Sequence, residues 1–249
     1  PVRVIGNVKG RKNWAYRLAR RAESGEPDMH YAKLTAYDAI QAGVLADDEV
    51  KGAQRQLPES VFRELYLAEA SDDEGNPFGI AAIGACIAPL SSADPQCWGW
   101  DLAKSVDWTV GIGLDAAGAV CRFVRFQAPW TETISRIHAA VGTAKALVDS
   151  TGVGDPVLEV LQRQSGGHYW GFKFTAPSKQ QLMEGLAVAI QRQLIRFPQG
   201  PISSELESFE YVYSRVGVHY SAPEGMHDDC VCALALAWSA SQRRRLTAF

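Results

Sequence analysis

The sequence lacks several features that would place it in a familiar class of protein. It has no excess of positive charge, since 25 Lys and Arg stand against 28 Asp and Glu in 249 residues. The net charge of −3 therefore does not indicate a nucleic-acid-binding protein, although a local basic groove can lie beside an acidic site. The longest apolar runs, 80–90 and 231–238, are too short to span a bilayer. No signal peptide is recognisable, so we expect neither a membrane location nor secretion.

Cysteine is scarce and shows no pairing pattern. The five cysteines are Cys86, Cys97, Cys121, Cys230 and Cys232. They form no Cys-x-x-Cys motif, and an odd number does not suit a closed disulfide framework, so a reducing, cytosolic setting is the simpler expectation. The nearby His227 makes zinc an alternative at Cys230 and Cys232, but side chains two residues apart on a helix face away from each other.

Motifs for common cofactors and nucleophiles are also missing from the sequence. There is no G-x-x-x-x-G-K-[ST] phosphate loop, and Gly152-Val153-Gly154 is too short for a dinucleotide fingerprint. No H-E-x-x-H pattern occurs among the five histidines. We therefore expect no ATP hydrolysis by this chain. It begins at Pro1 in mid-pattern rather than at Met, which indicates a fragment of a longer protein.

The first part of the chain is predicted to be mainly helical. The patterns predict a short strand over 1–7 and helices over 14–23, 47–51 and 58–70. Polar segments rich in turn residues follow at 71–77 and 89–95, and they indicate a domain boundary. We place that boundary after residue 88, which gives predicted domains over 1–88 and 89–249.

In the second part, strands and helices alternate. Three strand-like runs come first, at 98–103, 108–114 and 119–127, with a hairpin turn at 115–118. The elements that follow are a helix over 131–144, a strand over 146–149, a helix opened by Asp155-Pro156, a strand over 170–174, a helix N-capped by Ser178 and a buried closing helix over 230–239. Three antiparallel strands followed by such alternation predict an α/β fold with a mixed sheet.

Aspartates stand where apolar segments end. Asp101 interrupts a strand, Asp149 ends another, and Asp228 and Asp229 precede the last helix. A buried, unpaired carboxylate is costly, so such residues persist when they are hydrogen-bonded, paired or bound to a cation. If the sheet brings them together, their repulsion raises some pKa values unless a metal neutralises them. Oxygen ligands suit Mg²⁺ or Mn²⁺, and two such ions commonly promote attack of water on a phosphodiester.

Each of these residues also has an ordinary structural explanation. Asp228 or Asp229 alone can be a helix N-cap, and Asp149 can accept N–H groups from the turn that follows it. Asp107 can be a turn residue. Two basic residues, Lys104 and Lys179, are candidates for phosphate contacts, with solvated surface lysines as the alternative. The combination of acids, rather than any one of them, indicates a metal site.

Several stretches resemble the nuclease domain of the large terminase subunit of tailed bacteriophages. The resembling runs are WDLAKSVDWTV at 100–110, VDSTGVGDP at 148–156 and APEGMHDD at 222–229, together with Phe172-x-Phe174-Thr175 and Ser178-Lys179-Gln180. Upstream, FRELYLAE at 62–69 resembles the end of that family's ATPase part, and GNVKGRKNW at 6–14 resembles its last ATPase motif. The family's usual Thr/Ser-Pro before Lys-Gly is Asn7-Val8 here, so the coupling role of that loop does not carry over. The resemblance spans nearly the whole chain.

The resemblance implies a ribonuclease H-like mixed sheet with flanking helices, preceded by a small, mostly helical remnant of an ATPase domain. It implies a metal-dependent endonuclease that cuts concatemeric viral DNA with two Mg²⁺ or Mn²⁺ ions. By motif position, Asp101, Asp149 and one or both of Asp228 and Asp229 would be the catalytic metal ligands. Asp107 would be a nearby acid that supports them.

The partners that the resemblance implies are double-stranded DNA, the portal protein, the small terminase subunit and the ATPase domain of the same full-length polypeptide. The setting is the cytoplasm of the infected bacterial host, with no membrane. Two alternatives are a non-cleaving DNA- or portal-binding module of the same fold, and another enzyme of that fold such as a recombinase or transposase. The ATPase-like upstream segment disfavours the last of these.

Overall fold

The chain divides into two compact units, Pro1–Pro77 and Phe78–Phe249. The computed structural model describes residues 2–6, 14–70, 75–103, 108–152, 154–165, 168–214, 217–223 and 225–243. The predicted boundary after residue 88 lies further along the chain than this division, because the helix Ile80–Ala85 packs within the second unit. Across the described ranges, no helix is both long and apolar enough to cross a membrane.

The first unit is helical. Its helices are α1 (Trp14–Glu23), α2 (Ala36–Gln41), α3 (Asp47–Gln56) and α4 (Glu59–Leu67). Ala36, Val50 and Phe62 form a small buried core. The strand predicted over 1–7 is wrong for residues 2–6, which lie in no strand, and Val2 and Ile5 are almost fully exposed. An extended segment becomes a strand only when a neighbouring strand accepts its hydrogen bonds.

The second unit is built on a five-stranded mixed sheet. Its strands are β1 (Cys97–Asp101), β2 (Thr109–Leu114), β3 (Val120–Phe126), β4 (Lys145–Asp149) and β5 (Tyr169–Phe172), in the order β3-β2-β1-β4-β5. Strands β1, β2 and β3 pair antiparallel, whereas β4 runs parallel to both β1 and β5. The predicted mixed sheet is therefore confirmed. Strands β6 (Glu210–Ser214) and β7 (Gly217–Ser221) form a separate antiparallel pair.

Helices cover both faces of this sheet. They are α5 (Ile80–Ala85), α6 (Trp130–Val141), α7 (Gly154–Ser165), α8 (Ala176–Gln191), α9 (Pro201–Ser208) and α10 (Asp229–Arg243). Helices α6 and α7 pack on one face around the stacked rings of Trp98 and Trp100. The other face packs against α8, α9 and the almost wholly apolar α10. Successive side chains of a strand point to opposite faces of the sheet, so the strands contribute side chains to both cores.

Two helix starts differ from the sequence prediction. The N-cap of α8 is Thr175 rather than Ser178, which lies at the third helical position and whose hydroxyl accepts the backbone N–H of Thr175 as the reciprocal half of a capping box. Both residues are good N-caps, and only the backbone path decides between them. Helix α7 begins at Gly154, one residue before the predicted Asp155-Pro156 start.

Candidate metal centre

Two neighbouring parallel strands each end in an aspartate. Trp100 of β1 lies opposite Val148 of β4, so Asp101 and Asp149 are the next residue on each strand. Trp100 and Val148 point into the α6–α7 core. The two aspartates therefore face the opposite side, toward α10, on strands about 4.8 Å apart. The carboxyl ends of β1 and β4 bring together two of the predicted ligands.

Helix α10 lies in backbone contact with β1. A Cβ atom added to Gly99 would come closer than 3.0 Å to the carbonyl oxygen of Ala233 and to the nitrogen of Ala237. The thiol of Cys97 donates to the carbonyl oxygen of Ala237 at 3.5 Å. Along β1, Cys97 contacts Ala237, whereas the next residue on the same face, Gly99, also reaches Ala233, one turn nearer the start of α10. Helix α10 therefore runs in the direction opposite to β1. Only glycine at position 99 permits this approach.

The helical repeat places Asp229 on the face of α10 that covers the sheet. Asp229, Ala233 and Ala237 are spaced four residues apart and lie on one face. The rise from Ala233 back to Asp229 is about 6 Å along the helix, and the rise from Gly99 to Asp101 is about 6.6 Å along the strand. Because the two elements run in opposite directions, Asp229 lies over Asp101.

Three other acids lie close enough to Asp101 to act on its charge, and we call the place where they meet the pocket. Burial, and then the negative charges of Asp149, Asp229 and Asp228, raise the pKa of Asp101 well above 3.8, while Lys179 acts in the opposite direction. Among the described residues, no three His, Cys, Asp or Glu side chains come close enough to form a ready metal-binding group. The pocket therefore concentrates negative charge around Asp101.

Asp149 is held by the turn that follows it. Burial raises its pKa, while hydrogen bonds from Thr151 and the charge of Lys179 partly offset that effect. The backbone N–H of Thr151 donates to Asp149 Oδ1 at 2.8 Å, and Thr151 Oγ1 accepts from the N–H of Phe174 at 2.9 Å. The alternative role of Asp149, accepting an N–H from its own turn, is thus present in the structure.

Asp228 is engaged differently from Asp229. Its backbone carbonyl accepts the N–H of Cys232 at 2.9 Å, which is the N-cap position of α10. Its side chain binds Lys179 of α8, with Nζ 2.9 Å from Oδ2. The Asp229 carboxylate is 14% exposed, with His227 Nδ1 3.6 Å from its Oδ2. Of the two acids, Asp229 is therefore the one directed toward the sheet.

Lys179 lies inside this pocket rather than on an open surface. Its side chain is 24% exposed, and its ammonium group is 6.0 Å from the ring centroid of Phe174. Burial alone would lower its pKa, but the surrounding acidic groups, including the hydrogen-bonded Asp228, outweigh burial and raise it. The interpretation of Lys179 as a solvated surface lysine is therefore wrong, because the fold brings α8 against the start of α10.

Sequence reasoning missed Glu205 and Arg125, which also reach the start of α10. Glu205 Oε2 accepts the N–H of Cys230 at 2.7 Å, and Arg125 Nη2 is 3.7 Å from Glu205 Oε1. Glu205 lies at helical spacing among the buried residues Ile202 and Leu206, so an acid on the apolar face of α9 was the pattern that could have revealed it.

Two other predicted residues, Lys104 and Asp107, lie outside the described residues. The same holds for most of the upstream motif, 7–13.

The chain is similar to large terminase subunits of viruses that infect Thermus. The Terminase RNaseH-like domain family matches residues 98–240. The large terminase subunit of Thermus virus P23-45 is 32% identical over 202 residues, which cover 74% of this chain and 41% of that protein. The chain thus spans about two fifths of the length of this curated relative.

Solved structures give the same result. The large terminase nuclease of thermophilic phage G20c with bound magnesium superposes with a TM-score of 0.59 and 27% identity, covering 67% of this chain and 97% of that one. The large terminase of the HK97 bacteriophage superposes with a TM-score of 0.51 and 13% identity, and the match covers 90% of this chain and 60% of that one. At this identity the likeness is one of fold alone. The predicted ribonuclease H-like fold is confirmed.

Proposed function

The chain belongs to the terminase ribonuclease H-like domain family, and we propose that it is a metal-dependent endonuclease that cuts concatemeric double-stranded DNA in a viral packaging motor. The observation that carries this proposal is the arrangement of Asp101 and Asp149 at the ends of adjacent parallel strands, on the face that Asp229 covers. A terminase nuclease role follows from the family, whereas the DNA substrate and the mode of cleavage are our proposal.

The chemistry of the donor set fits Mg²⁺ or Mn²⁺. All the candidate ligands are carboxylate oxygens, which these hard cations prefer. Burial together with three neighbouring acids raises the pKa of Asp101, so a bound cation would relieve an unfavourable charge. The related G20c nuclease was crystallised with magnesium. When two such ions are bound, they activate a water molecule and stabilise the leaving oxygen of the phosphodiester.

The residues of the chain have distinct roles in this proposal. Asp101, Asp149 and Asp229 are the principal metal ligands, and Asp228, which binds Lys179, is a further catalytic acid. Lys179 is also our candidate for a phosphate contact, since its ammonium group can turn from Asp228 to a DNA phosphate. Asp107, in its sequence position near Asp101, is the supporting acid, and Lys104 is a second candidate phosphate contact.

The wider assembly is likewise a proposal. The curated relatives are more than twice as long as the stretch that matches, which supports an ATPase domain in the same full-length polypeptide. The first unit, Pro1–Pro77, would then be the end of that domain, and we expect no ATP hydrolysis from the residues given. The portal protein and the small terminase subunit would be partners in the cytoplasm of the infected host.

Incubation of the chain with plasmid DNA and Mg²⁺ or Mn²⁺ tests the activity directly. We expect metal-dependent cleavage that Asp101→Asn or Asp149→Asn abolishes. Asp115→Asn is the matched control, because Asp115 is a buried acid in the β2–β3 turn at the opposite end of β2. Cleavage that survives in the Asp101 variant would refute the site. A non-cleaving module would give no cleavage and no thermal stabilisation by metal.

A further inference from the structure

Glu205 holds the first turn of α10 from outside that helix. The residue is 8% exposed, and its two carboxylate oxygens have separate partners. Oε2 accepts the backbone N–H of Cys230 at 2.7 Å, while Oε1 lies 3.7 Å from Nη2 of Arg125. Cys230 directly follows Asp229 in the chain. The carboxylate of Glu205 is therefore bound to the peptide group that links Asp229 to Cys230.

The contact satisfies two needs of a helix start. The first N–H groups of a helix have no partner within it, and a negative charge is favourable at this end of the helix dipole. Glu205 supplies both an acceptor and a charge in a buried place. Because a buried carboxylate is costly unless it is paired, the nearby guanidinium of Arg125 compensates it.

Arg125 connects this contact to the sheet. It lies opposite Val110 in the β2–β3 pairing, on the face that packs against α10. Its guanidinium carbon is 4.6 Å from the ring centroid of Trp108. Glu205 and Arg125 thus join the start of α10 to the strands whose neighbour, β1, carries Asp101.

We propose that Glu205 is a positioning residue of the metal centre, which fixes Asp229 relative to Asp101 through the N–H of Cys230. Lys179 holds the side chain of the preceding residue, Asp228, with Nζ 2.9 Å from Oδ2. We assign Glu205 to positioning rather than to metal binding, since Oε2 accepts the N–H of Cys230 and Oε1 faces the guanidinium of Arg125. The inference rests on the proposed function, since it assigns a role toward the same metal.

Calorimetric titration of the whole chain with Mn²⁺ tests this inference in the absence of DNA. Loss of an outer partner of a metal ligand typically lowers affinity by roughly 10–100-fold, which is the effect expected for Glu205→Ala. Glu205→Gln keeps an oxygen acceptor and should rescue affinity to within about threefold of the parent chain. Asp115→Ala is the control, because it removes another buried carboxylate that accepts backbone N–H groups, at Ala117 and Ala119, far from the site.

Several results would overturn the proposal. Unchanged Mn²⁺ affinity in Glu205→Ala, or an equal loss in Asp115→Ala, would show that Glu205 contributes only to stability. If Glu205→Ala does not fold, Glu205→Asp decides, since it keeps the charge but withdraws the carboxylate, and undiminished affinity in that folded variant contradicts positioning. Asp101→Asn separates the two ideas: if that variant still binds Mn²⁺ like the parent chain, the proposed metal centre itself is wrong.

Discussion

Replacing Gly99 by alanine tests whether the close contact between β1 and α10 builds the site. The added Cβ would lie closer than 3.0 Å to the carbonyl oxygen of Ala233 and to the nitrogen of Ala237, and 2.9 Å from the Cα of Ala237. These are backbone atoms, so no side chain can rotate away. The helix must withdraw by about 1 Å to restore ordinary contact distances. Asp229, on the same face of α10, would move away from Asp101.

The Gly99→Ala substitution is expected to lower both the stability of the fold and the affinity for metal. Overpacking of this kind destabilises by roughly 1–3 kcal/mol. At roughly 2–4 °C per kcal/mol for a domain of this size, Tm falls by roughly 2–12 °C. Because α10 also carries a proposed ligand, we expect Mn²⁺ affinity to fall in the fraction that remains folded.

Thermal unfolding followed by circular dichroism, with and without Mn²⁺, measures both effects. Gly185→Ala is the control, since a Cβ added there meets nothing within 4 Å and alanine is favoured over glycine within a helix. Its Tm should stay the same or rise. A Gly99→Ala chain with the parent Tm and the parent Mn²⁺ affinity would refute the argument that this glycine sets the geometry.

Three further perturbations test the charge and the metal affinity of the site. Metal at a hundred times its Kd should stabilise the parent chain by about 2.7 kcal/mol, or roughly 5–11 °C in Tm, and Asp101→Asn should remove this shift in calorimetric scans. Without added metal, burial and neighbouring acids raise the pKa of Asp101 above 3.8 in the folded chain. The free energy of unfolding should therefore fall as pH rises from 3.8 through the folded-state pKa of Asp101. Urea unfolding at a series of pH values measures this fall, and Asp101→Asn should lack the contribution of Asp101 to it. A parallel decline in both chains would contradict this. Lys179→Met should bind Mn²⁺ more tightly, because it removes a competing cation from Asp228, yet it should cleave DNA more slowly. A lower Mn²⁺ affinity of Lys179→Met in calorimetric titration would show instead that Lys179 supports the ligands.

The sequence was sufficient to predict the mixed sheet and the chain positions of the acids. Alternating apolar and polar residues bounded by turn residues predict strands. An aspartate at the end of an apolar run indicates a special role, because burial of a lone carboxylate is costly. Local pattern therefore predicts Asp101 and Asp149 as candidate ligands. Their adjacency follows from the parallel pairing of β1 with β4.

The rest depends on contacts between segments distant in the chain. Which of Asp228 and Asp229 faces the sheet depends on how α10 is rotated over Gly99, and no local pattern encodes that rotation. The position of Lys179 depends on where α8 meets the start of α10. Glu205 appears in sequence as an acid in a short helix, and its role emerges only when α9 is placed beside Cys230.

In our proposal, Asp101, Asp149 and Asp229 bind divalent metal in one pocket. Anomalous diffraction from crystals of the chain soaked in Mn²⁺ tests it most directly. We predict a manganese peak within coordination distance of oxygens from all three aspartates, and its loss in crystals of Asp101→Asn. Manganese bound elsewhere, or a pocket in which Lys179 still binds Asp228 and no manganese peak lies near Asp101 under saturating Mn²⁺, would contradict the account.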